Sequence, residues 1–199
     1  MRKLLHVGCS KNRIKATTKG FNDGLWEEIR LDIDPSVNPD IVGSMTDMAL
    51  VEDASVDAVF SSHNIEHLYP HEVPIALKEF LRVLRVDGFL VITCPDLKSV
   101  CELVSRDMLT DPAYVGGAGP ISPMDMLYGH RASMAKGNLY MAHRCGFTER
   151  VLHGALTENG FKSIASLCRP EAFDLWAVAC KRTRTVDEIR ALARQHFPF

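Results

Sequence analysis

Short β-rich apolar runs alternate with segments of helical periodicity along most of the chain, and no unit of sequence repeats. Such alternation folds as α/β layers around a mainly parallel sheet, because each buried strand needs cover on both faces and the helices supply it. Leu4 to Val7 is expected to form a first strand ending at Gly8, Glu28 to Leu31 a second ending at Asp32, Asp40 to Val42 a third and Val56 to Ser61 a fourth. From His71 to Arg85, the residues Val73, Leu77, Phe80, Leu81 and Leu84 recur at helical spacing, with Pro74 tolerated in the first turn. Asp87-Gly88 predicts a turn into a buried strand, Phe89 to Cys94, which Pro95-Asp96 stops. Helices are expected from Leu97 to Arg106 and from Thr148 to about Asn159-Gly160, and strands at Lys162 to Leu167 and Phe173 to Cys180. Thr185 and Glu188 form a capping box for a last helix.

Between Asp107 and Cys145 the pattern breaks into glycine, proline and methionine, including Val115-Gly116-Gly117-Ala118-Gly119-Pro120. A long irregular stretch inside a compact domain is usually functional, so it reads as a substrate lid. The 199 residues fit one domain spanning 1–199, with 107–145 as its insertion. A net charge of -2 argues against broad attraction to nucleic acid or anionic membranes. Six scattered cysteines without a C-x-x-C pair argue against a zinc knuckle and suit reduced thiols. No run approaches the ~18 apolar residues of a membrane span, and a cytoplasmic protein, monomer or homodimer, is expected.

Gly8-Cys9-Ser10 follows the first strand, where small residues let backbone N–H groups approach a ligand at the carboxyl edge of a sheet. Asp32 comes 24 positions after Gly8, close to the spacing of about 20 at which an acidic side chain accepts from ribose hydroxyls. Asp34 competes for that role, and Asp32-Ile33-Asp34-Pro35 also reads as a plain turn. Only Gly8 survives of a G-x-G-x-x-G pattern, which disfavours a dinucleotide-dependent oxidoreductase. His63-Asn64-Ile65-Glu66-His67 matches H-x-x-E-H, a pattern of metal-dependent hydrolases. It follows a strand rather than opening a long amphipathic helix, so no metal is expected, and Glu66 and His67 are read as structural, tying the loop down by hydrogen bonds. Tyr128, His130, Arg131, His143 and Arg144, in or beside the insertion, are candidates for acceptor contacts. Met124, Met126, Met134 and Met141 suit either an adaptable apolar wall or core filling.

Taken in order, these pieces resemble the class I S-adenosylmethionine-dependent methyltransferases of the type 11 kind, and especially small members linked to polysaccharide biosynthesis. The resemblance is carried by Leu4 to Ser10, Arg30 to Pro35 with Pro39 to Val42, Val56 to His67, and Leu81 to Leu90 leading to Pro95-Asp96. Tyr128-Gly129-His130, Cys145 to Thr148 and Asn159-Gly160-Phe161 are similar to the family's closing segment. It implies a Rossmann-like fold, a mainly parallel seven-stranded sheet flanked by helices, with S-adenosyl-L-methionine as cofactor and a small-molecule or saccharide acceptor. It further implies that Gly8, Cys9 and Ser10 contact the methionyl part, Asp32 the ribose, and Ser44 and Met45 the adenine, with Ile33 also at the cofactor. Ser62 and His63 would line the methyl-donor side. Ser10 stands where the family commonly has glycine, and Ser44 where it commonly has aspartate.

In-line methyl transfer needs the two reactants held close, and a base only if the acceptor is a hydroxyl. His63 is the first candidate base, followed by His130 and His143, because histidine titrates near neutral pH. The competing reading is a non-catalytic protein that binds S-adenosylmethionine or S-adenosylhomocysteine.

Overall fold

Leu4, Leu5 and Val7 bury both faces of the strand that carries them, β1 (Arg2–Val7), which therefore belongs inside a sheet. The computed structural model describes residues 1–198. In it, β1 lies in parallel between β2 (Trp26–Asp32) and β4 (Val56–Ser62). A two-residue strand, β3 (Ile41–Val42), extends the sheet beyond β2, and β5 (Leu84–Pro95) continues it in parallel beyond β4. The last two strands pair antiparallel: β9 (Asp174–Cys180) on β5, and β8 (Ser163–Arg169) on β9. The resulting order, β3-β2-β1-β4-β5-β9-β8, is the seven-stranded, mainly parallel sheet that the resemblance implies.

Each face of the sheet has its own apolar core. On one, Leu5, Val7, Val59, Leu90 and Ile92 pack beneath α1 (Val73–Val83) and α5 (Glu149–Glu158). On the other, Leu4, Phe60, Phe89 and Val91 pack beneath Phe21 and α6 (Val186–His196). Helix α1 buries Val73, Ala76, Leu77, Phe80 and Val83, the 3.6-residue stripe its sequence predicts. The capping box of Thr185 and Glu188 opens α6 as expected.

Two expectations need correction. Asp87-Gly88 is no turn before a strand: β5 begins at Leu84, and residues 85–88 bulge where its pairing with β4 slips from Leu84↔Val56 to Phe89↔Ala58. Arg85 holds that bulge through Asp57, at 2.9 Å. Nor is the segment from Asp107 to Cys145 irregular. After α2 (Leu97–Val104) it forms a hairpin of β6 (Tyr114–Gly116) and β7 (Gly119–Ile121), then α3 (Pro123–Tyr128), α4 (Arg131–Met134) and a 3-10 turn, Leu139–Met141. Gly129 locks this insertion in place. Its φ is +97°, and a Cβ there would stand 1.9 Å from the Met141 carbonyl oxygen. No helix among the described residues is long and apolar enough to cross a membrane.

The second core contains a titratable group that makes the fold acid-sensitive. His196 is buried against Phe21 and Phe89, its Nδ1 2.6 Å from the Thr18 hydroxyl. Burial is the main force lowering its pKa from 6.5 to about 4; Arg2 adds to the effect and Asp23 opposes it. The unfolded chain therefore binds this proton more readily than the folded one, and stability falls as the pH drops from 6.5 towards 4. Urea unfolding is expected to lose on the order of 3 kcal/mol across that window, with a flatter profile in His196→Leu. An equally steep profile in that variant would assign the effect to other groups.

Candidate active site

Strands β1, β2 and β4 end side by side, and the turns that follow them enclose a cavity of about 330 Å³. Its wall includes Val7, Gly8 and Ser10 after β1, Leu31, Asp32 and Ile33 at β2, Ser44 and Met45 after β3, and Ser62 and His63 at β4. Gly8 has φ +62°, and a Cβ on it would lie 2.1 Å from the Asn64 side chain, whose amide donates to the Val7 carbonyl at 3.0 Å. The open space at Gly8 is thus taken by Asn64, a lining residue the sequence did not single out. Ser10, at φ +49°, holds the left-handed conformation that glycine adopts without steric cost. Its backbone N–H donates to one Asp32 oxygen at 2.7 Å, and the Asp34 N–H donates to the other at 2.9 Å.

These contacts supply the test of whether an adenosyl cofactor suits the residues present. Each Asp32 oxygen carries one backbone hydrogen bond, and a carboxylate offers about four lone-pair sites, so acceptor capacity remains for vicinal hydroxyls. Apolar Val7, Leu31, Ile33, Met45 and Leu68 stand beside polar Ser44, Ser62 and Asn64, a mixture that suits a purine and a ribose. The residues fit. Ser44 keeps its hydroxyl on its own loop, 2.7 Å from the Thr46 hydroxyl, and Cys9 turns its thiol into the core, where burial pushes its pKa up to about 11. Cys9 therefore offers the cavity no side chain. Asp34 lines the cavity but uses its carboxylate to accept from the Ser36 N–H at 2.8 Å.

Arg30, missed by sequence reasoning, organises two of these turns. It is 1% exposed, and its guanidinium donates to the carbonyls of Ser10 and Asn12 after β1 and of Val37 and Asn38 after β2, at 2.5 to 3.3 Å. A polar residue between Ile29 and Leu31, in a strand of the central sheet, was the available signal.

A second cavity of about 600 Å³ adjoins the first, with His63, His67 and Met141 in both walls. The insertion covers it through Tyr114, Ile121, Asp125, Met126, His130 and His143, and the end of the sheet adds Arg169, Phe173 and Asp174. Arg169 and Asp174 are paired at 2.9 Å, and Tyr114 stacks on Phe173 with ring centroids 6.1 Å apart. His63, at φ +53°, stands at the junction with Nδ1 3.5 Å from Glu66 Oε1. Desolvation lowers the His63 pKa, but the Glu66 carboxylate more than offsets it, and the net shift is upward. Burial alone would raise the Glu66 carboxyl; the facing histidines, His63 first, reverse this and lower it. His143 is shifted down, chiefly by burial.

Among the expected acceptor contacts, His130 and His143 line the second cavity, whereas Arg144 lines the first. Tyr128 and Arg131 line neither. Arg131 instead grips Asp125 at 2.8 Å, holding that carboxyl well below the usual carboxylate range. Of the four methionines, Met126 and Met141 face the second cavity. Glu66 and His67 both tie their loop by hydrogen bonds, to the insertion: the Glu66 backbone carbonyl accepts from the N–H groups of Arg144 and Cys145, and His67 Nδ1 meets the Ala142 carbonyl, while the Glu66 carboxylate accepts no hydrogen bond. Ile65–His67 forms a 3-10 turn, so His63 and His67 do not share an α-helical face as H-x-x-E-H hydrolysis requires.

Residues 5–92 match the family model of a methyltransferase domain. No curated protein matches the sequence. Among solved structures, a protein of Pyrococcus horikoshii OT3 is similar at TM-score 0.62 and 16% identity, over 92% of this chain and 83% of that one. The 1,6-didemethyltoxoflavin-N1-methyltransferase of Burkholderia thailandensis, with 1,6-didemethyltoxoflavin and S-adenosylhomocysteine bound, gives 0.55 and 17%, over 89% and 69%. A SAM-dependent methyltransferase from Archaeoglobus fulgidus gives 0.55 and 15%, over 89% and 85%. At these identities the likeness establishes a shared fold.

Proposed function

We propose that this chain is a class I S-adenosylmethionine-dependent methyltransferase that methylates a small polar acceptor held beneath its insertion, a reading supported by the methyltransferase-domain match and the sheet order. The observation that carries this reading is the junction of the two cavities: a donor-sized space behind Gly8 and Asp32 shares His63, His67 and Met141 with a larger one whose wall holds more titratable side chains, Asp125, His130, His143, Arg169 and Asp174 among them. S-adenosylmethionine, when bound, supplies a methyl carbon on a sulfonium.

Asp32 would hold the ribose hydroxyls, and Ile33 and Met45 the flanks of the adenosyl group, with Ser44 and Ser62 as polar contacts. The Arg144 side chain, stacked on Tyr69 at 4.7 Å, is the cation in this wall suited to a carboxylate. In the acceptor cavity, the Tyr114–Phe173 stack offers an apolar face beside Arg169, Asp174 and His130, a combination that suits a hydroxylated ring such as a saccharide. For a hydroxyl acceptor, His63 would take the proton while Glu66 stabilises the imidazolium that forms. Residues 1–199 would act as one domain, with 107–145 covering the acceptor. Six free cysteines suit a reducing cytoplasm.

Calorimetric titration is expected to give one-to-one binding of S-adenosylhomocysteine and none of NAD. With an acceptor found by screening hydroxylated compounds, His63→Ala is expected to lower turnover by about 10²- to 10⁴-fold while changing S-adenosylhomocysteine affinity far less. Unchanged turnover in the variant would remove His63 from the reaction, and binding without turnover of any acceptor would favour a non-catalytic carrier.

A further inference from the structure

Glu66 is 1% exposed, and neither carboxylate oxygen accepts a hydrogen bond among the described residues. Leaving a buried carboxylate without partners is costly, and a structure that keeps one usually has a use for it. Its oxygen lies in a group with ring nitrogens of His67 and His143, all within 4.8 Å of one another, on the wall of the acceptor cavity. The two imidazoles are oriented alike. His67 Nδ1 sits 3.1 Å from the Ala142 carbonyl and His143 Nδ1 sits 2.8 Å from the Met126 carbonyl. A carbonyl can only accept, so both Nδ1 atoms carry hydrogen, and in the neutral imidazoles both Nε2 atoms keep a free lone pair. A backbone carbonyl fixing one ring nitrogen so that the other can ligate is the usual support of a metal-binding histidine.

We propose that Glu66, His67 and His143 bind a divalent transition-metal ion of the zinc type in the acceptor cavity. Two imidazole nitrogens and one carboxylate oxygen select such an ion over magnesium or calcium, which prefer all-oxygen sites. A span of up to 4.8 Å is closed by small side-chain rotations onto bonds of about 2.0 to 2.2 Å. Three protein ligands leave a coordination position open towards the cavity, where an acceptor oxygen can bind as the additional ligand. That oxygen would then be held beside His63, at the junction with the donor cavity. The metal site itself rests on side-chain geometry alone; its use in holding an acceptor rests on the function proposed above. The ion would also complete the charge balance around Glu66, which His63 Nδ1, 3.5 Å away, approaches without hydrogen bonding.

The test uses the full chain, freed of metal with a chelator and titrated with Co²⁺ and Zn²⁺. One equivalent of Co²⁺ is expected to bind with the visible absorption of a low-coordinate site, displaceable by Zn²⁺ and not by excess Mg²⁺. His67→Ala, His143→Ala and Glu66→Gln are each expected to weaken binding at least tenfold, while His71→Ala and His153→Ala, outside both cavities, leave it unchanged. Circular dichroism identifies any variant that fails to fold. Glu66→Gln keeps the shape of the side chain, and loss of Co²⁺ binding in that folded variant supports the site. Absence of stoichiometric binding, or binding unaltered in folded His143→Ala and Glu66→Gln, overturns it. Retained S-adenosylhomocysteine binding without Co²⁺ binding would overturn the metal site alone, and the converse would overturn the donor cavity alone.

Discussion

Asp32→Ala is expected to weaken S-adenosylhomocysteine binding by about 100-fold or more. The carboxylate is 8% exposed at the end of β2, on the wall of the donor cavity, with spare acceptor capacity on both oxygens. A hydrogen bond to a charged group contributes about 1.5 to 3 kcal/mol, and each 1.4 kcal/mol is about tenfold in affinity, so losing even one strong ribose contact is large. The substitution also frees the N–H groups of Ser10 and Asp34, loosening the turns after β1 and β2 together, and a stability loss of about 1 to 3 kcal/mol is expected alongside. Asp32→Asn separates the two effects. Its amide oxygen can still accept from one of these N–H groups, so stability should recover more than affinity, which depends on an acceptor at both positions. Calorimetry and urea unfolding on the same preparations read the two quantities, and wild-type affinity in a folded Asp32→Ala would move the ribose site elsewhere.

The parts of the fold that were legible are those where a local pattern and its tertiary setting agree. The apolar runs of β1 and β4 are buried on both faces, and the stripe on α1 meets the core it predicts. Asp87-Gly88 was misread because a strong local turn signal is also what a bulge uses; the deciding partner, Asp57, lies on another strand. The insertion was misread because its glycines suggested disorder of pattern. They instead serve as turns, between β6 and β7 and at Gly129, while the capping box of Ser122 and Asp125 that opens α3 was a local signal left unused.

The site divides the same way. Gly8 and Asp32 could be paired because chain spacing alone reports neighbouring strand ends in a parallel sheet. Asn64 against Gly8 and His143 beside Glu66 could not, since each contact depends on how distant segments return to the sheet edge. Glu66 and His67 were visible as an H-x-x-E-H match, but the match by itself does not report which ring nitrogens lie near the Glu66 carboxylate. The 3-10 turn breaks the helical register that would put His63 and His67 on one face, and the insertion brings His143 within 4.8 Å of Glu66 and His67.

Arg30 carries the other large expected effect. Few arginines are fully buried without a carboxylate partner; this one is balanced by four main-chain carbonyls, two from each of the turns that close the donor cavity. Arg30→Met keeps much of the side-chain volume but strips those carbonyls of their donors, and an unfolding free-energy loss of about 3 to 5 kcal/mol is expected. For a chain of this length that lowers the melting temperature by roughly 10 °C. Lysine cannot reproduce the fork, because one ammonium reaches fewer acceptors from a single point, so Arg30→Lys should recover less than half of the loss. The Ser10 carbonyl is held by Arg30 and the Ser10 N–H by Asp32, so the two substitutions act on one turn. Their combined stability cost should therefore fall short of the sum of the single costs, which urea unfolding of the double variant measures. A single Arg30→Met variant within about 1 kcal/mol of wild type would mean that water satisfies the carbonyls as well as the guanidinium does, and the turns would then owe their shape to Asp32 and Asn64 instead.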